Sequence, residues 1–323
     1  MRPSARRQLN NTNAWEQAFT GAFSPEEIPR TLPTAGVARS ANHEDGDEVN
    51  TGVVTGWKSV RESLLLMEEV THRIASMIEP PQVVKLYGDK VAPRYSKQGL
   101  EQAIVPKMAG VVSSTRAALL LLEAHYYVEH SAVMRMAEEA NEDIMFLARG
   151  LELGAKEAHQ EFLDTFFTEY WQEGKNPELP DLISRPEFKR FKIRKYMDEL
   201  HANGPALPGG INIGGLMKTS YVVDSGYVHG NCPQLMERYG GNPPKYHVAG
   251  IPDPSAMLRA TLSLSYGVTR ALITFATVAR AFGDAALTEM LKKRADQLFR
   301  LSDRMQATFR AWEQSNPPAA ATS

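Results

Sequence analysis

Serine, histidine, glutamate and tyrosine collect in one stretch of the chain. It runs Ser225-Gly-Tyr227-Val-His229-Gly230-Asn-Cys232-Pro and continues through Glu237 and Tyr239-Gly-Gly-Asn242-Pro-Pro244 to Tyr246-His247. Ser225 and His229 are one turn apart, so on a helix they share a face, as a hydroxyl nucleophile and its imidazole base must. No third group that would orient the imidazole is identifiable. Gly230 is a natural helix stop, and the glycines and prolines that follow fix a loop from which Glu237 and His247 could fold back on His229. Tyr227, Glu237, Asn242 and His247 are the side chains a ligand would meet there. Two histidines and a glutamate could also hold a metal, but their spacing follows no metal motif, and neither metal nor cofactor is expected.

Three other stripes carry charge at helical spacing. Arg116, Glu123 and His130 are separated by sevens, which places them within about 40° of one another on a helix. The segment from Arg116 to Met134 has Leu119 to Leu122 in succession and is expected to be buried all round. A charged stripe on such a helix must be a structural ion-pair seam, a solvent-facing strip or the wall of a polar cleft. Near the C-terminus, Arg259, Ser263, Tyr266, Arg270, Thr274 and Thr277 share a face. Two arginines flanking a tyrosine could grip a phosphate or carboxylate, and an ordinary surface face is the competing reading.

The fourth candidate interleaves Arg185, Lys189, Arg190, Lys192, Arg194 and Lys195 with Phe188, Phe191 and Tyr196. Cations alternating with aromatic rings suit a single-stranded nucleic acid, and equally an amphipathic surface helix. Arg194 and His201 enclose six residues, matching the Arg-x(4 to 6)-His pattern of HEPN-type ribonucleases. With eight histidines in the chain, about one or two such matches arise by chance, and Lys195 stands where those enzymes carry a small polar residue. Gly209 to Thr219 imitates a phosphate loop, but Leu216 and Met217 separate glycine from Lys218 and no strand precedes it. Glu69 and His72 have the spacing of a di-iron bundle without a second copy.

The elements that hold these residues are marked out by proline. None lies between Lys107 and Asn176 or between Ser255 and Asn316, so long helices can run there. Helices are expected from Trp57 to Pro80-Pro81, from Lys97 and again after Pro106, and onward to about Gly174 with breaks at Gly150 and Gly154. Others follow from Ser184-Arg185-Pro186-Glu187 to His201, over Gly215 to His229, from Ser255 to Phe282 and from Asp284 to Trp312. No repeat period and no strand pattern long enough for a sheet is visible. The expected fold is all-α, a single helical bundle of long antiparallel helices over residues 55–313, with an irregular arm over 1–54 and a disordered tail over 314–323.

Composition is compatible with that. The 323 residues, 43% hydrophobic and 23% charged, can build a core without disulfide or metal staples. Cys232 is the single cysteine, which excludes an internal disulfide. The net charge of -2 argues against coating nucleic acid or membrane by bulk charge. The most apolar stretch, Ala260 to Phe282, is interrupted by Arg270 and Arg280, so neither a membrane span nor a signal peptide is read, and a cytoplasmic location is expected.

The stretch Ser225, Val228-His229-Gly230, then Met236-Glu237-Arg-Tyr239-Gly-Gly-Asn-Pro-Pro244-Lys-Tyr246-His247 resembles a family of uncharacterised bacterial all-helical proteins, whose other recurring feature is a helix with an Arg followed by Glu, here Arg116 and Glu123. The resemblance covers about Lys97 to Phe282. It implies a helical bundle in which Arg116, Glu123, Ser225 and His229 meet, and it implies no activity. A distant likeness to HEPN bundles is an analogy.

Two functions remain open at this level. One, the leading reading, is an effector or metal-independent enzyme acting on RNA or a nucleotide, with RNA or a phosphorylated small molecule as its partner, His201 or His229 as acid or base and Arg194 or Arg116 stabilising phosphate charge. The other is a non-enzymatic module that binds a small anion or a protein, with a homo-oligomer as one form.

Overall fold

In the computed structural model the described residues are 43–176, 179–184, 186–202, 225–240, 243–251 and 253–315. Eight helices carry labels here: α1 His43–Ala75, α2 Leu100–Glu123, α3 Tyr127–Leu153, α4 Glu157–Phe167, α5 Phe191–Ala202, the short α6 Cys232–Met236, α7 Pro254–Ala281 and α8 Ala285–Ser315. Three two-stranded antiparallel ribbons interrupt them: β1 Gln82–Lys85 with β2 Val91–Arg94, β3 Trp171–Asn176 with β4 Leu179–Leu182, and β5 Tyr239–Gly240 with β6 Lys245–Tyr246. The fold is predominantly all-α. The ribbons are local hairpins that add no layer.

The more deeply buried helix is α7, not the segment around Leu119. It packs against α1, α2, α3 and α8, and 78% of its most apolar window is buried, against 44% for α2. Both helices are long and apolar enough to cross a membrane, but α7 spends that apolarity on Leu264, Val268, Leu272 and Phe275 in the protein core. Thr261, Thr269, Thr274 and Thr277 are buried with them. Thr261, Thr269 and Thr277 return their hydroxyls to a carbonyl one turn earlier, which removes the cost of burying them.

Cross-contacts fix the helix directions. Lys107 meets Asp143 and Ala118 meets His130, so α2 and α3 run antiparallel. Arg61 meets Glu123 and Glu68 meets Arg116, so α1 and α2 do too. Glu138 meets Arg270 and Glu152 meets Arg280, which makes α3 and α7 parallel.

Several boundaries differ from expectation for physical reasons. Helix α1 begins at His43, within the segment expected to be an extended arm. Gly56 is there for close approach, since a Cβ would lie 2.9 Å from Met305 Cε of α8. Pro106 lies inside α2, within its second turn. Gly150 continues α3 because the His159 ring occupies the space of its missing Cβ, with 2.5 Å to Cδ2, and the break falls at Gly154, whose φ is +92. Helix α5 starts at Phe191 rather than at the Ser184 capping sequence: Phe188 packs on the ring of Phe162, 5.1 Å between centroids, and Arg190 reaches Asp143. Those tertiary contacts hold the preceding residues out of the helix. Gly283, at φ +80, separates α7 from α8 as the sequence indicates.

Candidate functional site

The motif-rich segment folds as a small surface unit. Residues 225–229 make one helical turn, and Gly230, at φ +65, ends it. Pro233 opens α6, where its missing N–H costs nothing. Chain reversal between β5 and β6 then brings the Tyr239 and Tyr246 rings to 4.9 Å. Tyr227 donates its hydroxyl to Glu237 Oε1 at 2.7 Å, and His247 Nε2 donates to the Gly240 carbonyl at 3.1 Å. Glu237 and His247 thus find partners other than His229. Gly226 permits the fold-back, since a Cβ there would lie 2.6 Å from the Gln234 amide carbon.

Neither end of the proposed nucleophile–base pair has a polar partner among the described residues. Ser225 is half-buried and His229 exposed, as is Cys232. Asn242 lies outside the described residues. What the unit does present is apolar: Val228, Leu235, Met236, Tyr239, Tyr246 and Val248 are all exposed. It is tied to the helices by Arg238, which reaches Glu129 of α3 at 2.7 Å, and by the Ile251 amide, which donates to the His125 carbonyl.

That last contact falls on the turn that divides the Arg116, Glu123, His130 stripe between two helices. Helix α2 ends at Glu123 through a Schellman closure, with Tyr126 N–H bonded to Leu121 O and His125 N–H to Leu122 O. The left-handed position is held by His125 at φ +65, where glycine is usual. Its ring bonds the Tyr127 hydroxyl at 2.7 Å, and Gly250 lies against its backbone. Without glycine or proline at 124–126, the break left no sequence signal. His130 consequently sits in α3, fully buried, with Nδ1–H donating to the Ala118 carbonyl at 2.8 Å. Burial holds its pKa below the ordinary value.

Arg116 and Glu123 remain on one face of α2, but each pairs with α1: Arg116 with Glu68, and Glu123 with Arg61. They form a surface seam, with no hydrogen bond or ion pair to Ser225 or His229 among the described residues. The α7 stripe is dispersed likewise. Arg259 bonds Ser255, Arg270 bonds Glu138 of α3, and the Tyr266 hydroxyl meets Gln306 of α8 at 3.1 Å. On α5, the basic face is largely engaged within the chain: Lys192 with Glu161 and Lys195 with Glu199. Arg194 and His201 share that helix, seven residues apart; Arg185 lies outside the described residues.

Sequence reasoning missed a charge cluster centred on the buried Asp143. Lys107 Nζ donates to Asp143 Oδ2 at 2.7 Å and lies 4.9 Å from the Phe166 ring centroid. Arg190 donates to Asp143 Oδ1 at 2.9 Å and to Glu142 Oε2 at 2.8 Å. Burial raises the Glu142 carboxyl above the usual range, against the opposing pull of Arg190. Nearby, His159 stacks on Phe146 with centroids 4.0 Å apart, accepts the Lys156 N–H at Nδ1 and donates from Nε2 to the Phe146 carbonyl. Burial keeps this imidazole neutral by lowering its pKa. Both groups are engaged with partners inside the chain. A shallow groove of about 510 Å³ lies at the C-terminal ends of α3 and α7, lined by Arg149, Leu151, Glu152, Leu153, Arg280 and Ala281. Both of its guanidinium groups are already bonded to Glu152, whose pKa they pull down against desolvation.

No protein-family model, curated protein or solved structure matches this chain.

Proposed function

We propose that the chain is a non-enzymatic protein-interaction module and that residues 225–248 carry its docking surface. The observation behind this reading is the exposure of Val228, Leu235, Met236, Tyr239, Tyr246 and Val248 together on a unit held by internal hydrogen bonds. Tyrosine and methionine in such a cluster bring large contact area at small entropic cost, which is the composition of interface centres. Charge selects the class of partner. Between 225 and 248 the lysines and arginines are Lys245 and Arg238 alone, and Arg238 is engaged with Glu129. A phosphate backbone needs several cations, so the fitting partner is an uncharged, apolar surface on another protein.

The test uses the full chain with photo-crosslinkers at Val228 and Val248, followed by reconstitution with the separately purified captured protein. Tyr239→Ala and Tyr246→Ala should each weaken that binary complex by about 30-fold or more, the size of an interface hot spot. Undiminished binding in both variants sinks the reading. A mixed-sequence single-stranded RNA that bound with steep salt dependence and was lost in the same variants would replace it with the nucleic-acid reading.

A further inference from the structure

One eight-residue pattern occurs twice on neighbouring helices. Arg61-Glu-Ser-Leu64-Leu65-Leu66-Met67-Glu68 lies in α1, and Arg116-Ala-Ala-Leu119-Leu120-Leu121-Leu122-Glu123 lies in α2. Burial repeats position by position: Leu64 and Leu119 are buried, Leu66 and Leu121 half-buried, Met67 and Leu122 buried. Between them Leu65 and Leu120 stand in solvent, 62% and 67% exposed. In both helices the arginine, the exposed leucine and the glutamate fall at steps of four and three, and therefore on one face.

Because α1 and α2 are antiparallel, the two copies face each other head to tail. Arg61 pairs with Glu123 at one end and Arg116 with Glu68 at the other. The outer surface is thus an apolar pair with arginine and glutamate alternating around its four corners. Pro106, Ala109, Ser113 and Ala117 extend the exposed, uncharged strip along α2, and Gly110 has open space where a Cβ would be.

Alternating corners are self-complementary. A closed two-fold contact between flat faces has its axis in the plane of contact. With the axis along the helices, Arg61 lies over Glu123 of the second copy and Arg116 over its Glu68. With the axis across them, Arg61 meets Glu68 and Arg116 meets Glu123. Either way every guanidinium meets a carboxylate and the leucine pairs meet at the centre, whereas most surface ion pairs do not enclose a strip of exposed leucine.

We propose that the α1–α2 face centred on Leu65 and Leu120 is a two-fold interface with a second copy of this chain. The proposal is independent of the role of residues 225–248. Light scattering and sedimentation of the full chain at micromolar concentration should give a dimer. Leu65→Asp with Leu120→Asp, at positions already in solvent, should raise the dimer Kd by about 100-fold or more while leaving the thermal transition in place. The sharper arm reverses charge. Arg61→Glu with Arg116→Glu makes an all-acidic face, and Glu68→Arg with Glu123→Arg an all-basic one. Each variant alone should be monomeric, and a 1:1 mixture should recover heterodimers, because only contact between chains can restore the pairs that both variants lack internally. A monomeric native chain at about 100 μM, dimers that persist in the leucine variant, or folded charge variants that fail to recover dimers on mixing each overturn the proposal. Vesicle binding by a monomeric native chain, lost in the leucine variant, would assign the face to lipid instead.

Discussion

The layer formed by α2, α3, α4 and α5 and the unit formed by residues 225–248 divide the chain's chemically capable residues in opposite ways. In the first, Asp143 and His159 are buried, Lys107, Glu142 and Arg190 partly so, and every one has a hydrogen-bonding partner inside the chain. In the second, His229, Cys232, Tyr239 and Tyr246 are exposed and the ties to the helices are few. Buried, satisfied charge resists change because loss of one partner strands the other in a low dielectric. An exposed, lightly tied unit contributes little to global stability and is free to meet something else. The titratable groups of the first region are thus engaged in structure, and the exposed apolar groups of the second are the face proposed to meet a partner.

The contrast is tested hardest at Asp143. Its carboxylate is shared by Lys107 and Arg190, so Asp143→Ala leaves two partly buried cations without their common partner, at a cost of about 3 kcal/mol. Urea unfolding should show this as a lowered midpoint with the m-value unchanged. Asp143→Leu combined with Lys107→Met, Arg190→Met and Glu142→Met should recover most of the loss, since an apolar cluster can replace a buried ion network once no partner is left stranded. A small effect of Asp143→Ala would mean that water already reaches the cluster, and the division between the two regions would fail.

Legibility in the sequence follows the same division. Proline-free runs announced α7 and α8, and Gly283 between them, because covalent geometry alone forbids or favours those positions. The α2–α3 turn was invisible, since His125 adopts the left-handed conformation through contacts with Tyr127 and Gly250 that are remote from helix propensity. For the same reason the seven-residue spacing of Arg116, Glu123 and His130 counted across a chain break. The partners of Arg116 and Glu123, Glu68 and Arg61, lie 48 and 62 residues away. The repeated octad was the signal for that seam, and it is short enough to pass for ordinary leucine-rich helix. Likewise nothing local to Lys107 predicts Asp143, because charge pairing between helices is settled by packing.

An intermediate effect separates the regions by pH. His130 and His159 are both buried, and burial holds each below the ordinary imidazole value of 6.5. As pH falls through 6.5, the unfolded chain takes up these protons before the folded chain does, so stability is present above that value and declines below it. Glu142, with a raised pKa, acts in the opposite sense, since its folded form takes up a proton first. Between pH 7.5 and 5.5 the two histidines together should lower the stability. His159→Gln should reduce this slope, whereas Val248→Ser, at an exposed position of the 225–248 unit, should leave it unaltered. Equal effects of the two variants would erase the distinction.

The smallest expected effect is at the junction. Arg238 and Glu129 are both partly exposed, and such pairs contribute about 0.5 to 1 kcal/mol. Arg238→Ala should therefore barely move the global transition. Its consequence is local, because the side chain is one of the few bonds between the 225–248 unit and α3. Hydrogen exchange should accelerate in residues 225–248 and stay constant at Ile144, Phe146 and Leu147 in the buried stretch of α3. If protection fell equally in both places, the unit would be part of the helical core's cooperative structure rather than a separately anchored surface. If only residues 225–248 changed, a partner that grips this unit would be expected to restore their protection, since binding to the ordered form offsets the lost tie by mass action.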